Sequence, residues 1–219
     1  WPGGWLWVIA QTPPLCQASA SPFGTGSRFC AGAERVPCWT LRDDDGTDLP
    51  SGNPRSAQVT CPFTGEQRAA VPALNPDVTI VHAQRADADG NTQIWGLLGV
   101  QKEAAFASKH VIVVVEELVE SAVVRADPNR TLIPGIIVDA VVVEPWGAHP
   151  SYAQGHYDRD NDFYVAWENI SRDPAALQKY LEELVMGVQD REGYLALQPG
   201  LTERLAARSM MCEGVNYGY

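Results

Sequence analysis

Uninterrupted runs of β-branched residues constrain the fold of this chain more than any other feature. The two longest are VIVVV at 111–115 and IIVDAVVV at 136–143, and a shorter run, VTIVH, precedes them at 78–82. A strand in which apolar and polar residues do not alternate must be buried on both faces, which is typical of parallel sheets. Between the first two runs along the chain, LLGVQKEAAFASKH at 97–110 has the length and composition of a helix. The order predicts an α/β fold with an open, mostly parallel sheet, flanking helices and these runs as central strands.

The C-terminal part of the sequence has a helical pattern. In DPAALQKYLEELVMGVQ, Asp173 stands at the N-cap position and Pro174 at the first helical position. A shorter helix is expected in LTERLAARSMM at 201–211, and both helices are expected to pack on the sheet. The apolar residues that recur at helical spacing in the first helix are Leu177, Tyr180, Leu181, Leu184, Val185 and Val188.

The first 35 residues differ in composition from the rest of the chain. They contain three Trp, four Pro and two Cys, and their only charged residues are Arg28, Glu34 and Arg35. No helical or strand periodicity persists through them. We therefore expect residues 1–35 to be an aberrant or disordered N-terminal segment, and residues 36–219 to form an incomplete α/β domain.

Charge and cysteine content exclude several classes of function. The formal net charge of −11 argues against nucleic acid or an anionic membrane as a partner, because both attract basic surfaces. The five cysteines are odd in number and show no C-x-x-C spacing, so we expect reduced thiols in a cytoplasmic protein and no zinc site. Asp158, Asp160 and Asp162 resemble the start of a calcium loop, but Phe163 stands where the loop needs Gly. We interpret this stretch as a solvated acidic turn and expect no metal.

Three polar segments follow the predicted strands directly. They are HAQRADADGN at 82–91, EELVE at 116–120 and EPWGAHPS at 144–151. Each segment alone is typical of a surface loop. Because the carboxyl ends of parallel strands meet at one edge of a sheet, and ligands bind there in open α/β folds, the three together predict a shared site.

The amino-acid sequences of these segments resemble those of a known family. GTDLPSGNP, VTCPFTGE, VPALNPDVTIVHAQRADADGN, VIVVVEELVE and IIVDAVVVEPWGAHPS, between about Gly46 and Tyr164, are similar to the alpha (A) subunit of family I CoA-transferases of the glutaconate type. The resemblance implies transfer of coenzyme A between an acyl-CoA and a small carboxylic acid, with the CoA thioester as substrate and no other cofactor. It also implies a beta-subunit partner whose glutamate, in a Ser-Glu-Asn-Gly motif, is the nucleophile. This sequence contains no such motif, so its own catalytic residues stay unknown.

The resemblance also suggests substrate-binding residues. It places His82, Gln84 and Asn91 beside the acyl-CoA site, with Glu117 and His149 on the other two polar segments. A buried glutamate at the end of an apolar strand is expected to have a raised pKa, which suits proton transfer. The alternatives are structural, since Glu117 can bridge loops and His149 can cap a turn.

One departure from the family leaves the activity open. Alpha subunits carry a Gly-Gly-Phe loop that approaches CoA, and this sequence has none. Our hypothesis is that the segment before Val36 is a truncation or reading-frame artefact, and that the isolated chain is inactive. Two other functions remain: a subunit of a CoA-thioester hydrolase or ring-opening enzyme of the same fold, and a non-catalytic remnant or sensor domain.

Overall fold

The larger of two β-sheets forms the centre of the molecule. The computed structural model describes residues 22–42 and 55–207. The five strands of the larger sheet have the order β7-β5-β4-β6-β8, and a separate antiparallel sheet has the order β1-β3-β2. The strands are β1 (Cys38–Leu41), β2 (Ala57–Thr60), β3 (Gln67–Pro72), β4 (Val78–Ala86), β5 (Thr92–Gln93), β6 (His110–Leu118), β7 (Thr131–Ile133) and β8 (Ala140–Val143).

Helices connect and flank these strands. A short helix links β4 and β5 to β6, as the sequence predicted, and most of the others follow β8. The α-helices of the described residues are α1 (Pro22–Ala33), α2 (Gln101–Ala107), α3 (Ser121–Ala126), α4 (Asn161–Arg172), α5 (Pro174–Leu181), α6 (Arg191–Ala196) and α7 (Leu201–Leu205). None of these helices is long and apolar enough to cross a membrane.

The predicted α/β class is confirmed, and the three β-branched runs contribute parallel strands. β4 pairs with β6 in parallel, and β6 pairs in parallel with β8. The sheet is nevertheless mixed, because β5 and β7 join it antiparallel. Strands of two and three residues carry too little pattern to be recognised in a sequence.

The prediction that all three runs are central strands buried on both faces is wrong for β8. This strand lies at the edge of the sheet, and Val142 is 43% exposed. On the central strand β4, Ile80 is also 66% exposed, so this strand is not buried on both faces either. One face of the sheet carries the core, where Val81, Val113 and Val115 pack near Ala105 of α2. Toward the carboxyl ends of the strands, the segment that follows β8 and the residues around Trp95 cover the other face.

Part of the N-terminal segment is ordered. Residues 22–33, which the sequence interpretation included in an aberrant or disordered segment, form α1. Ala31 is fully buried, and α1 packs against α2. A Cβ at Gly32 would lie 2.9 Å from the Cβ of Ala107, so the missing side chain permits close helix packing. The expectation therefore does not hold for these residues, whereas residues 1–21 lie outside the described part of the chain.

The predicted C-terminal helix is shorter than expected. Asp173 caps α5 as predicted, accepting a hydrogen bond from the backbone of Ala175 at 2.9 Å. After Leu181 the chain continues as one π-helical turn, Glu182–Met186, and the backbone leaves the helix at Gly187. Leu177 is buried but Val185 is 49% exposed, so only the first part of the apolar face is fully packed.

Candidate functional site

The three polar segments meet around the carboxylate of Glu116, near the carboxyl end of β6. His82 of β4 brings its Nε2 to 3.0 Å from Glu116 Oε1. The backbone N–H of Trp146, in the turn after β8, donates to Oε2 at 2.7 Å. Tyr157 donates its hydroxyl to Oε1 at 2.6 Å. The structure thus brings residues 82, 116 and 146 from the three segments into direct contact.

The register of β4 against β6 explains why Glu116 occupies this position. His82 lies opposite Val114, and Arg85 lies opposite Glu117. Because side chains alternate between the faces of a sheet, Glu116 shares the face of His82. Glu117 is on the opposite face and exposed. The sequence prediction selected the neighbour of the residue that contacts His82.

Glu116 is ionised at neutral pH. Burial acts to raise the pKa of its carboxyl group, but the contacts with His82, Tyr157 and the Trp146 backbone outweigh burial, and the pKa is lowered. The expectation of a raised pKa for a buried glutamate at this strand end is therefore wrong. The pKa of Tyr157 is raised well above its usual range by burial and by its hydrogen bond to Glu116, so the phenol remains a donor.

The turn after β8 is fixed to the site by aromatic packing and close backbone contact. The rings of Trp146 and Tyr157 stack with centroids 4.2 Å apart. Ala148 donates its backbone N–H to the Tyr157 hydroxyl at 3.0 Å. A Cβ at Gly147 would lie 2.9 Å from both Cδ2 and Nε2 of His82, so only glycine allows the turn to approach the ring.

A small cleft of about 160 Å³ adjoins His82. Gln84 holds one wall, since its Nε2 donates to the Trp95 carbonyl at 2.9 Å and its Oε1 accepts from the Trp95 N–H at 3.3 Å. The space suffices for a few water molecules or a short acyl chain. The residues that line it are His82, Ala83, Gln84, Ile94, Trp95, Leu97, Gln101, Ser151, Tyr152 and Ala153.

Unsatisfied polar atoms lie in and around this cleft. Within the described part of the chain, the buried Oε1 atoms of Gln101 and Gln154 have no hydrogen-bond partner. His82 Nε2 also lacks an aligned hydrogen bond, although it is at ion-pair distance from Glu116. A buried polar group without a partner costs about 1–3 kcal/mol, and such groups in native proteins are usually paired with water or a ligand. The arrangement is that of a binding cleft with open hydrogen-bonding positions.

Asn91, a predicted site residue, holds a turn. Its Nδ2 donates to both carboxylate oxygens of Asp87, at 3.2 and 3.0 Å, and its Oδ1 accepts from the Gly135 N–H at 3.0 Å. Burial acts to raise the pKa of Asp87, but the hydrogen bonds from Asn91 lower it. The side chain of Asn91 is therefore engaged within the loop.

His149, another predicted site residue, is enclosed. Its Nε2 lies 3.0 Å from Asp160 Oδ2, and its Nδ1 lies 2.9 Å from the Tyr194 hydroxyl. Burial lowers the pKa of His149, and the opposing effect of Asp160 is smaller. His149 borders a separate, more open groove of about 480 Å³ between the turn and the C-terminal helices.

Asp160 is buried, and its interpretation as part of a solvated turn is wrong. Its carboxylate accepts two hydrogen bonds from Arg204, at 3.0 and 2.9 Å, and caps α4 at the Phe163 N–H. Burial raises its pKa less than these bonds lower it. No group of His, Cys, Asp and Glu side chains in residues 22–42 and 55–207 could hold a metal ion.

Sequence reasoning missed several residues of the site. Glu116 could have been found from the pairing register, which fixes the face of each side chain but is not visible in one strand alone. Gln101 comes from one part of the chain and Gln154 and Tyr157 from another, and none of the three carries a local signal.

Comparison with known proteins identifies the family. Residues 24–144 match the family model for coenzyme A transferase, which covers more than half of the chain. The chain is 49% identical over 162 residues to the alpha (A) subunit of 3-oxoadipate CoA-transferase from Pseudomonas knackmussii, covering 74% of this chain and 57% of the relative. It is 40% identical over 131 residues to the corresponding chain of glutaconate CoA-transferase from Acidaminococcus fermentans, covering 60% of this chain and 41% of the relative.

A solved crystal structure supports the same family. The crystal structure of glutaconate coenzyme A-transferase from Acidaminococcus fermentans matches with a TM-score of 0.82 and 29% identity, over 92% of this chain and 68% of that chain. The present chain spans less than two thirds of the length of the two curated relatives. On the match to the family model and this shared fold, the chain belongs to the coenzyme A transferase family.

Proposed function

We propose that this chain acts as the alpha subunit of a heteromeric CoA-transferase, which moves coenzyme A between an acyl-CoA and a carboxylic acid. The observation that carries the proposal is the cleft beside His82 in a chain of this family, with polar groups from two strand-end segments bordering it and Glu116 of the third segment in contact with His82. The partner is a beta subunit, in keeping with the names of the relatives, each of which is one subunit of a larger enzyme. We expect the assembled enzyme in the cytoplasm.

The division of chemistry between subunits is consistent with the state of Glu116. A nucleophilic carboxylate needs access to the thioester carbonyl. Glu116 is buried and already contacts His82, Tyr157 and the Trp146 N–H. It is therefore poorly placed to attack a substrate, and we propose that the nucleophilic glutamate comes from the partner, as the family resemblance implies.

His82 and Gln84 are the proposed substrate-side residues of the cleft, because both line it. Substrate contacts of Asn91, Glu117 and His149 stay predictions. The contacts of Asn91 and His149 support a second role for these two residues, which is to hold the loops that shape the site.

The substrate class follows from the relatives and the size of the cleft. The names 3-oxoadipate and glutaconate both denote short dicarboxylic acids. A cleft of about 160 Å³ is far too small for coenzyme A and suits a short acyl chain. We propose that the acid is a short dicarboxylic acid and that the cleft receives part of its acyl chain.

Co-expression with a candidate CoA-transferase beta subunit tests the proposal. The purified complex is incubated with succinyl-CoA or glutaryl-CoA and a labelled dicarboxylic acid, and label in the CoA thioester is measured. We expect transfer by the complex and none by this chain alone. His82→Gln in the complex should reduce transfer by at least about tenfold, whereas His110→Gln, which changes an exposed histidine on the same sheet, should not.

Three results would contradict the proposal or its parts. A complex that forms but transfers no CoA to any short dicarboxylic acid would refute the activity. Thioester hydrolysis without exchange would support the hydrolase alternative instead. A glutamyl-CoA adduct on this chain rather than on the partner, detected by mass spectrometry, would refute the assignment of the nucleophile.

A further inference from the structure

The contact between Glu116 and His82 has a chemical consequence for the cleft. The geometry points to Glu116 as a positioning residue, which holds the proton of the neutral His82 ring on Nε2 and leaves Nδ1 as an acceptor toward the cleft. The catalytic importance of this arrangement rests on the proposed function. The arrangement itself does not, because it concerns only residues of this chain.

The position of the proton follows from what faces Nε2. An ionised carboxylate can only accept hydrogen bonds. Glu116 is ionised, and its Oε1 lies 3.0 Å from His82 Nε2. The contact is not an aligned hydrogen bond, but a deprotonated Nε2 would place its partial negative charge 3.0 Å from this oxygen, so the carboxylate favours the tautomer of the neutral ring that carries its proton on Nε2. Nδ1 is then the unprotonated nitrogen.

The turn after β8 determines which edge of the ring is open. A Cβ at Gly147 would meet Cδ2 and Nε2 of His82 at 2.9 Å each, so this edge of the ring lies against the turn. Nδ1 is the ring atom opposite the bond between Cδ2 and Nε2. The side chain is 20% exposed and lines the small cleft. The part of the ring that can face the cleft is therefore the edge with Nδ1.

The orientation of the Glu116 carboxylate is itself fixed. Its Oε2 accepts from the backbone N–H of Trp146, a donor that cannot reverse its role. Its Oε1 accepts from the Tyr157 hydroxyl, which also accepts from the Ala148 N–H and can rotate to accept a second hydrogen bond instead of donating one. The position of Oε2 must therefore be occupied by an oxygen that accepts from the Trp146 N–H. The position of Oε1, which faces His82, could hold either an oxygen or an amide nitrogen.

This asymmetry makes Glu116→Gln a specific test. The amide oxygen must face the Trp146 N–H, so the NH₂ group faces His82 and Tyr157. The hydroxyl of Tyr157 can turn to accept, and His82 Nε2 must also become an acceptor. The proton of the neutral ring then moves to Nδ1, and the group that faces the cleft changes from an acceptor to a donor.

In this arrangement His82 is an acid–base group whose ring orientation and tautomer are fixed. Nδ1 can take a proton from a group bound in the cleft, and the resulting imidazolium is balanced by the Glu116 carboxylate. General acid–base groups are held in one tautomer by such a carboxylate in other enzymes. With the tautomer reversed, the neutral ring cannot accept a proton at Nδ1.

Nitrogen-15 NMR of the histidine rings in the full 219-residue chain measures the tautomer directly. His82→Gln identifies the His82 signals by their loss. We expect the neutral His82 to be protonated on Nε2 in the wild type and in Tyr157→Phe, which keeps the carboxylate, and on Nδ1 in Glu116→Gln. His149, whose Nε2 faces Asp160, is an internal reference that should not change.

Two observations would overturn the inference. One is a wild-type His82 protonated on Nδ1, which needs no folded variant to be seen. The other is an unchanged tautomer in a folded Glu116→Gln chain. Transfer by the complex with the beta subunit is measured separately, and Glu116→Gln should lower kcat/KM by about tenfold or more. Reversal of the tautomer without any wild-type transfer would refute the proposed function and leave Glu116 as a positioning residue.

Discussion

His82 and His149 have similar partners but different surroundings. Each ring has its Nε2 3.0 Å from a buried carboxylate, Glu116 for His82 and Asp160 for His149. The second nitrogen of His149 lies against the Tyr194 hydroxyl, and the side chain is 1% exposed. The ring of His82 is 20% exposed and borders a cleft. Of these two histidine–carboxylate pairs, only that of His82 borders a cleft, and we therefore associate function with His82 and a structural role with His149.

The two histidines also depend on different parts of the chain. His82 belongs to β4, whose position is set by the sheet. The turn that carries His149 is held from the C-terminal helices, because Arg191 donates hydrogen bonds to the carbonyls of Trp146 and His149. Arg204 of α7 in turn binds Asp160. The C-terminal helices thus secure the turn that covers His82, although they contribute no residue to its cleft.

The largest expected effect is the loss of stability when the enclosed histidine is removed. His149→Ala leaves a cavity at an enclosed position and removes the partner of the Tyr194 hydroxyl, which together cost about 3 kcal/mol or more even though Asp160 keeps Arg204 and the Phe163 N–H. His82→Ala should cost about 1 kcal/mol, because Glu116 keeps two other hydrogen bonds. Urea unfolding of both variants measures the difference. Equal losses would show that the two sites do not differ as the structure indicates.

Much of the fold, and part of the difference between the two histidines, could be predicted from the sequence. Continuous β-branched runs require burial, and they gave the parallel strands correctly. Pattern alone could not show that β8 lies at the edge, because edge position depends on what lies beside a strand. For the same reason, Asp160 looked solvated in its acidic stretch, although Arg204, far along the chain, covers it.

For the site, residue type could be predicted but geometry could not. Both histidines lie in polar segments after strands, and nothing local distinguishes the enclosed ring from the open one. The choice between Glu116 and Glu117 depended on a register of one residue between two strands. Long-range contacts such as that of Tyr157 with Glu116 can be recognised only once the chain is folded.

A smaller effect is expected from a methyl group placed between the turn and His82. In Gly147→Ala the new Cβ would lie 2.9 Å from the His82 ring and from the Glu144 carbonyl, so the ring or the turn must move. Overpacking of this kind costs about 1–3 kcal/mol. The His82 ring signals should shift strongly in NMR spectra, while those of His149 should shift little. Gly193→Ala, at a helical glycine where an added Cβ would make only ordinary van der Waals contacts, provides a control for a substitution without a clash.

The smallest expected effect is a pH dependence of stability that arises from His149. Burial lowers the pKa of His149 in the folded chain below the unfolded value of about 6.5, even though Asp160 opposes the shift. Its contribution to stability is therefore complete above about pH 6.5 and is lost as the pH falls through the lower folded pKa, with a slope of at most about 1.4 kcal/mol per pH unit for one proton. The other groups that face the ring do not titrate here: Arg191 and Arg204 stay charged, and burial raises the pKa of Tyr194 to about 12. The carboxyl group of Asp160 has a lowered pKa and so loses its contribution to stability only at more acidic pH.

Urea unfolding between pH 7.5 and 5, compared with the same series for His149→Gln, isolates the slope as a difference between the two curves of stability against pH. If the curves run parallel over this range, protonation of the enclosed ring does not oppose folding, and the distinction between the two histidines loses its electrostatic basis.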